Sequence, residues 1–207
     1  MDNTVGSLTQ LQKSVIIGSL LGDGYIRQMS GRKDAFLEIN HSISQREYVD
    51  WKYSVLENIS GRAPTARNGN GRRIAYRFYT RQLPEMTELM NIWYQNGTKI
   101  VPDDLELNPI ILSIWFMDDG SMCRESDVYL NTQQFKSASQ QALVEKLGAL
   151  GLQVTLNKDK QYHRIRFLKS SVPVLKNIIS AHVIPSMQYK LGYDPVETTR
   201  RSPAVVL

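Results

Sequence analysis

Apolar and polar positions follow two periods along this chain, and the order of the periods occurs twice. The first half predicts helices over 9–23, 45–59 and 82–95, and strands over 25–29, 35–41, 63–68 and 72–80. The second half predicts helices over 108–119, 138–150 and 171–181, and strands over 121–123, 127–132, 152–157 and 163–168. We therefore predict an α+β protein of two αββαββα halves, each with a four-stranded sheet, related by a pseudo-twofold axis.

Two apolar helical runs, 16–24 and 112–120, carry the repeat most clearly, because both end in Asp-Gly. In the first run Gly18 and Gly22 lie four residues apart, a spacing that allows close approach of a second helix. The matching positions of the second run hold larger residues, Ile114 and Asp118. We predict that the two runs pack against each other in a contact that is not symmetric.

The amino-acid composition is that of a globular protein and excludes several other classes. The 207 residues are 42% hydrophobic and 22% charged, as in ordinary globular domains. The longest apolar run, 14–21, is shorter than the roughly 18 residues of a membrane span. A single cysteine, Cys123, excludes an internal disulfide and a cysteine zinc cluster. The N-terminus lacks the features of a signal peptide, so we expect an intracellular protein, with a mitochondrion or chloroplast left open as its compartment.

Positive charge is concentrated rather than large. The net charge is +5, from 25 Lys and Arg against 20 Asp and Glu. The segment 62–81 contains arginines at six positions and no acidic residue. An Asn-Gly pair at 68–69 predicts a hairpin there, and alternation along 72–80 allows one of its faces to be basic. This pattern favours a nucleic-acid partner, although a solvated basic face would look the same.

The two Asp-Gly helix ends are the best candidates for chemistry. Asp23 and Asp119 would lie at the negative ends of their helix dipoles, where a carboxylate is disfavoured. If the two helices pack together, the carboxylates also repel each other unless a cation lies between them. Carboxylate and carbonyl oxygens suit a hard cation such as Mg²⁺ better than Zn²⁺.

Both runs resemble the motif of the LAGLIDADG homing endonucleases, and the second is similar to the variant found in single-chain, intron-encoded members. Further segments resemble the omega endonuclease subgroup: 22–27, 99–102, 130–133 and 184–191. The resemblance extends from about residue 11 to 193. It implies two halves with saddle-shaped antiparallel sheets over the DNA major groove and with the motif helices at their interface.

The resemblance also implies roles for individual residues. Asp23 and Asp119 would bind divalent cations at the two scissile phosphates, and the carbonyls of Gly22 and Asp118 would complete the ligation. A competing assignment makes the Asp118 side chain the primary ligand. The implied cofactor is Mg²⁺, as two or three ions; Mn²⁺ is expected to substitute, and Ca²⁺ to support binding without cleavage. Three further residues match catalytic positions of the family: Lys99, Lys190 and Gln133. At the counterpart of Gln133 in the first half, Ser42 departs from the family's pattern.

The sheet faces would hold double-stranded DNA through basic and amide side chains, which read base edges and hold phosphates. Arg77 and Arg166, at matching positions of the two halves, are expected to play matching roles. The candidates for DNA binding are Arg27, Arg32, Lys33, Arg67, Asn68, Asn70, Arg72, Arg73, Arg77, Arg81, Arg124, Lys158, Lys160, Arg164 and Arg166.

The expected protein is a monomer with a first half over 1–98, a linker over 99–107, a second half over 108–193 and a tail over 194–207. The expected function is a metal-dependent double-strand break in a long, asymmetric DNA target, which would promote intron mobility. Two alternatives stay open on the same fold. One is a maturase that binds its host intron RNA, and the other is an inactive DNA-binding regulator. Retention of both motif acids favours cleavage.

Overall fold

The two predicted sheets are present, each with four antiparallel strands. A computed structural model describes residues 8–69, 73–124 and 127–192, without the side chain of Arg124. The first half contains α1 (Gln10–Leu21), β1 (Tyr25–Gln28), β2 (Ala35–Ser42), α2 (Arg46–Leu56), β3 (Thr65–Asn68), β4 (Ile74–Tyr79) and α3 (Pro84–Trp93). Asn70, Arg72 and the predicted tail 194–207 lie outside the described residues.

A two-stranded hairpin, β5 (Tyr94–Gln95) and β6 (Thr98–Lys99), leads out of the first half. The second half contains α4 (Pro109–Asp119), β7 (Gly120–Arg124), β8 (Asp127–Leu130), α5 (Ser137–Ala149), β9 (Val154–Asp159), β10 (Tyr162–Phe167) and α6 (Ser171–Ile179). A 3₁₀ helix, Pro185–Leu191, follows α6. The strand order is β1-β2-β4-β3 in one sheet and β7-β8-β10-β9 in the other. The same order in both halves confirms the predicted pseudo-symmetric fold.

Strand alternation separates a core face from an open face in each sheet. In β4, Tyr76 and Phe78 are buried, while Arg77 between them points to the opposite side. In β10, Ile165 and Phe167 are buried and Arg166 lies between them. The buried side chains of both sheets join those of the helices in one hydrophobic core. The helices therefore cover one face of each sheet and leave a basic face uncovered.

Two local details differ from the predictions. The helix predicted over 82–95 ends at Trp93, because Asn96 and Gly97 both adopt positive φ and turn the chain into the β5–β6 hairpin. This is the backbone of a two-residue hairpin turn, which an Asn-Gly pair favours. Lys158, expected in the turn between β9 and β10, lies inside β9, and the left-handed residue of that turn is Lys160. Within the described ranges, every helix is too short or too polar to cross a bilayer.

Candidate active site

The motif helices α1 and α4 run side by side in the same direction and meet through glycine. A Cβ added at Gly18 would lie 2.7 Å from the Ile114 Cβ, and one added at Gly22 would lie 2.4 Å from the Asp118 Cβ. Larger residues of α4 thus fill the space that the glycines of α1 leave. As the sequence predicts, the contact is asymmetric, with the glycines on α1 and the larger residues on α4. It brings the C-terminal ends of both helices together.

Asp23 and Asp119 lie at these two helix ends and line one open cleft. The Asp23 side chain is 50% exposed. Burial, followed by the negative charges of Asp23 and Asp118, raises the pKa of Asp119 to about 8. Burial and Asp118 also raise the pKa of Asp23. The cleft therefore holds two carboxyl groups whose ionisation a bound cation would favour.

Each helix end also receives a lysine. Lys99 Nζ lies 3.3 Å from the Gly22 carbonyl oxygen and 2.8 Å from that of Gly24. Lys190 Nζ lies 2.8 Å from the Asp118 carbonyl oxygen. The two lysines come from unlike elements, the β5–β6 hairpin and the 3₁₀ helix 185–191, but reach matching helix ends. Burial lowers the pKa of Lys99 to about 8, against the opposing effect of Asp119.

Asp118 points away from the cleft into the protein. Its side chain is fully buried and accepts hydrogen bonds from Lys52 Nζ at 2.8 and 3.0 Å and from the Tyr48 hydroxyl at 2.7 Å. Its Oδ2 also accepts the backbone N–H of Asp23 at 3.2 Å. Burial alone would raise the pKa of Asp118, but the charge of Lys52 and the hydrogen bonds from Lys52 and Tyr48 help to outweigh it and lower the pKa. These partners argue against Asp118 as the primary metal ligand.

The side-chain amide of Gln134 contacts a motif carboxylate. Its Nε2 lies 3.3 Å from Asp119 Oδ2 and 3.2 Å from the Gly22 carbonyl oxygen. Gln133 also lines the cleft, but its amide donates to Asp159 at 3.0 Å. Ser42, the counterpart considered in the first half, caps the turn that precedes α2 by accepting the N–H of Ser44. The structure therefore brings Gln134, rather than Gln133, into contact with an active-site carboxylate.

The oxygen atoms that line the cleft suit a divalent cation whose remaining ligands come from the substrate and water. The described residues contain no group of three or more His, Cys, Asp or Glu side chains that could hold a metal ion. Mg²⁺ is commonly held by one or two carboxylates together with substrate phosphates and water, which two facing aspartates could supply. The Gly22 carbonyl oxygen already accepts from Lys99 and Gln134, so it has fewer free lone pairs than that of Asp118.

The open face of the first sheet brings together several of the predicted DNA-binding residues. Arg27 and Arg77 both contact Glu38, at 2.8 and 3.6 Å. The pairing of Arg67 with Ala75 places Arg67 on the same face as Arg77. The Arg81 guanidinium donates to the Asn58 carbonyl, and Arg81 lines a pocket together with Arg27 and Tyr79. The other described candidates of this half lie in turns or at strand ends: Arg32, Lys33, Asn68 and Arg73.

The open face of the second sheet carries Arg164 and Arg166. Arg164 lies over the Tyr129 ring, and Arg166 donates to Asp127 at 2.6 Å. Lys158 pairs with His163, so alternation puts it on the face opposite to Arg164. The backbone of Arg124 ends β7. The structure thus separates Lys158 from the arginines with which the sequence grouped it.

Comparison with known proteins identifies this architecture. Residues 13–175 match the family described as LAGLIDADG DNA endonucleases. The chain belongs to this family. The match confirms the resemblance that the two motif helices indicated. The matched range includes both Asp-Gly helix ends.

Individual LAGLIDADG relatives point in two functional directions. The chain is 28% identical to "Cytochrome b mRNA maturase bI2" of Saccharomyces cerevisiae over 93% of its length, and it spans half the length of that relative. It is 27% identical to "Probable intron-encoded endonuclease 1" of Wickerhamomyces canadensis, covering 91% of this chain and 87% of that one. The homing endonuclease I-WcaI, solved bound to its DNA recognition sequence, superposes with a TM-score of 0.84 at 25% identity, covering 91% of this chain and 89% of that chain.

Sequence reasoning missed the residues behind the LAGLIDADG helices. His41, Tyr48 and Lys52 are buried around Asp118. The available signal was Lys52 itself, because it interrupts the apolar stripe that Val49 and Leu56 form on α2. A lysine on a buried helical stripe requires an anionic partner, and the partner lies in the other half of the molecule.

Proposed function

We propose that this protein is a site-specific DNA endonuclease that makes a double-strand break in a long, asymmetric target and promotes intron mobility. The observation that carries the proposal is the pair Asp23 and Asp119, held at adjacent helix ends in an open cleft, each with a lysine beside it. Two acids and two lysines match two scissile phosphates, one on each strand.

The residues of the cleft divide the work of hydrolysis. Asp23 and Asp119 would hold divalent cations, Mg²⁺ or Mn²⁺, which polarise the phosphate and lower the pKa of bound water. Lys99 and Lys190 would stabilise the negative charge that develops on the phosphate. The Gln134 amide, in contact with Asp119, is placed to orient a water molecule. The arginines on the two open sheet faces would hold and read the duplex.

The test uses purified protein and a duplex that spans the intronless allele of its host gene, with Mg²⁺, with Ca²⁺ and with EDTA. We expect one Mg²⁺-dependent double-strand cut, and binding without cleavage in Ca²⁺. Asp23→Asn and Asp119→Asn should each abolish the double-strand cut and preserve binding, because each removes a metal ligand and no DNA-reading group. A fully active Asp119→Asn protein would contradict the metal assignment.

A second candidate is supported by the similarity to a cytochrome b mRNA maturase. The same experiment separates it, if the transcript of the host intron is added as a competitor. Tight binding of the intron RNA without cleavage of the DNA would favour a maturase. Tight, salt-sensitive binding of the DNA without cleavage under any metal would instead favour a regulator.

A further inference from the structure

Behind Asp23, one of the two motif acids, lies the buried side chain of Lys52. Lys52 Nζ donates to both carboxylate oxygens of Asp118 and lies 3.4 Å from His41 Nε2. The side chains of Lys52 and Asp118 are 0% exposed, and that of His41 is 2% exposed. None of these three groups can therefore reach DNA, so any role in cleavage must act through another residue.

Two chains of contacts lead from Lys52 to Asp23. The first passes through Asp118, whose Oδ2 accepts the backbone N–H of Asp23 at 3.2 Å. The second passes through His41. An ammonium group can only donate, so His41 Nε2 is the acceptor and the ring proton lies on Nδ1. His41 Nδ1 lies 3.5 Å from Asp23 Oδ2, so this edge of the imidazole faces the motif carboxylate.

Among the described residues of the second half, no equivalent of this network is present. Lys52 is the seventh residue of α2, and the seventh residue of α5 is Leu143, which is also fully buried. Tyr48 is the third residue of α2, and its counterpart Ser139 accepts the N–H of Val101 instead. The side chain of Asp119 is contacted by Gln134. The two halves thus hold their motif acids by different means.

We infer that Lys52 is a positioning residue that fixes both the backbone and the carboxylate of Asp23, and so controls the cleavage of one DNA strand more than the other. The inference rests on the proposed nuclease function. It extends that function, because it makes the two cleavage events chemically unequal. Loss of Lys52 would leave Asp23 less ordered, while the side chain of Asp119 keeps its contact with Gln134.

The cleavage test compares the strands separately on an end-labelled duplex. Lys52→Met leaves Asp118 buried without its cation, so the double variant Lys52→Met/Asp118→Asn, which removes both charges, guards against misfolding. We expect the double variant to bind DNA like the unmodified protein and to cut one strand about tenfold more slowly than the other. Leu143→Met is the matched control and should leave the ratio of the two rates unchanged. Equal slowing of both strands, or no slowing, would overturn the inference.

A second measurement does not depend on nuclease activity. The ¹⁵N chemical shifts of the His41 ring should show a protonated Nδ1 and an unprotonated Nε2 in the unmodified protein at neutral pH. In Lys52→Met the preference for this tautomer should be weakened, since the Lys52 donor to Nε2 is removed. Observation of the opposite tautomer in the unmodified protein would overturn the positioning role. A protein with the expected tautomer that cuts no DNA would contradict the proposed function instead.

Discussion

Asp119 illustrates how the cleft changes the protonation of an individual side chain. Burial and two neighbouring aspartates raise its pKa to about 8, far above the value of about 4 that is usual for an aspartate in an unfolded chain. The folded protein therefore retains a proton that the unfolded chain releases between those values. The stabilisation from this proton is full below about pH 4 and is lost as the pH rises through about 8.

The consequence is a gain of stability when the charge is removed. In metal-free buffer at pH 8.5, Asp119→Asn should raise the free energy of unfolding by about 1–3 kcal/mol, because the amide needs no desolvation of a charge. The gain should shrink towards zero at pH 4–5, where the unmodified side chain is itself neutral. Urea unfolding in EDTA at the two pH values measures it. Asp103→Asn, at an exposed site, serves as the control. A gain that does not depend on pH would contradict the assignment.

At this scale the sequence predicts identities better than orientations. Asp23, Asp119, Lys99 and Lys190 meet in one place, as the resemblance implies. Whether Gln133 or Gln134 faces the acids depends on how the chain leaves β8, and a difference of one residue reverses the direction of a side chain. The buried network around Asp118 could not be predicted, because its members come from β2, α2 and α4, which only the tertiary fold brings together.

At the scale of elements, the contact between α1 and α4 sets the distance between the motif acids. Close approach requires Gly18, since the nearest atoms to an added Cβ include the Ile111 carbonyl oxygen at 2.9 Å, which belongs to a helix backbone and cannot turn away. The sequence predicted this contact from the spacing of the two glycines. It did not predict the β5–β6 hairpin that carries Lys99, although the Asn96-Gly97 pair was an available signal for it.

Substitution at the helix contact should separate the two halves. Gly18→Val is expected to lower the free energy of unfolding by about 3 kcal/mol or more, because the added methyl groups overlap Ile114 and the backbone of α4. Any folded fraction should also lose double-strand cleavage, since the motif acids would be displaced. Chemical denaturation together with the cleavage assay measures both effects.

The matched control for Gly18→Val is a glycine in the last turn of a helix with open space around it. Gly148 in α5 has no atom within 4 Å of an added Cβ. Gly148→Ala should therefore stabilise the protein by about 0.5–1 kcal/mol through helix propensity and leave cleavage unchanged. Equal effects of Gly18→Val and Gly148→Ala on stability and cleavage would show that the contact between α1 and α4 does not restrict side-chain size.

At the scale of the whole molecule, the pseudo-symmetry is one of topology and not of surface. Both sheets have the same strand order, but the first presents Arg27, Glu38 and Arg77 where the second presents Arg164 and Arg166. The repeat in the sequence was sufficient to predict the topology. The surface pattern could not be assigned to phosphates or bases, because that depends on the DNA path across both faces. On the proposed function, these unequal surfaces predict an asymmetric target that one chain occupies alone.

This arrangement predicts a monomer on DNA with a strong dependence of affinity on salt. Arginines spread over two sheet faces would contact about six to ten phosphates, so affinity should fall by about 10³–10⁵ between roughly 50 and 200 mM salt. Binding in Ca²⁺ at several salt concentrations gives the slope of log affinity against log salt, and sedimentation of the complex gives the stoichiometry.

Removing one phosphate contact should reduce this slope by about one, whereas removing a base contact should weaken binding without changing the slope. Arg77→Met and Arg166→Met, at matching positions, should therefore change the slope alike if their roles match. A slope near zero, or two chains on one target, would contradict a single chain whose two sheet faces embrace the duplex.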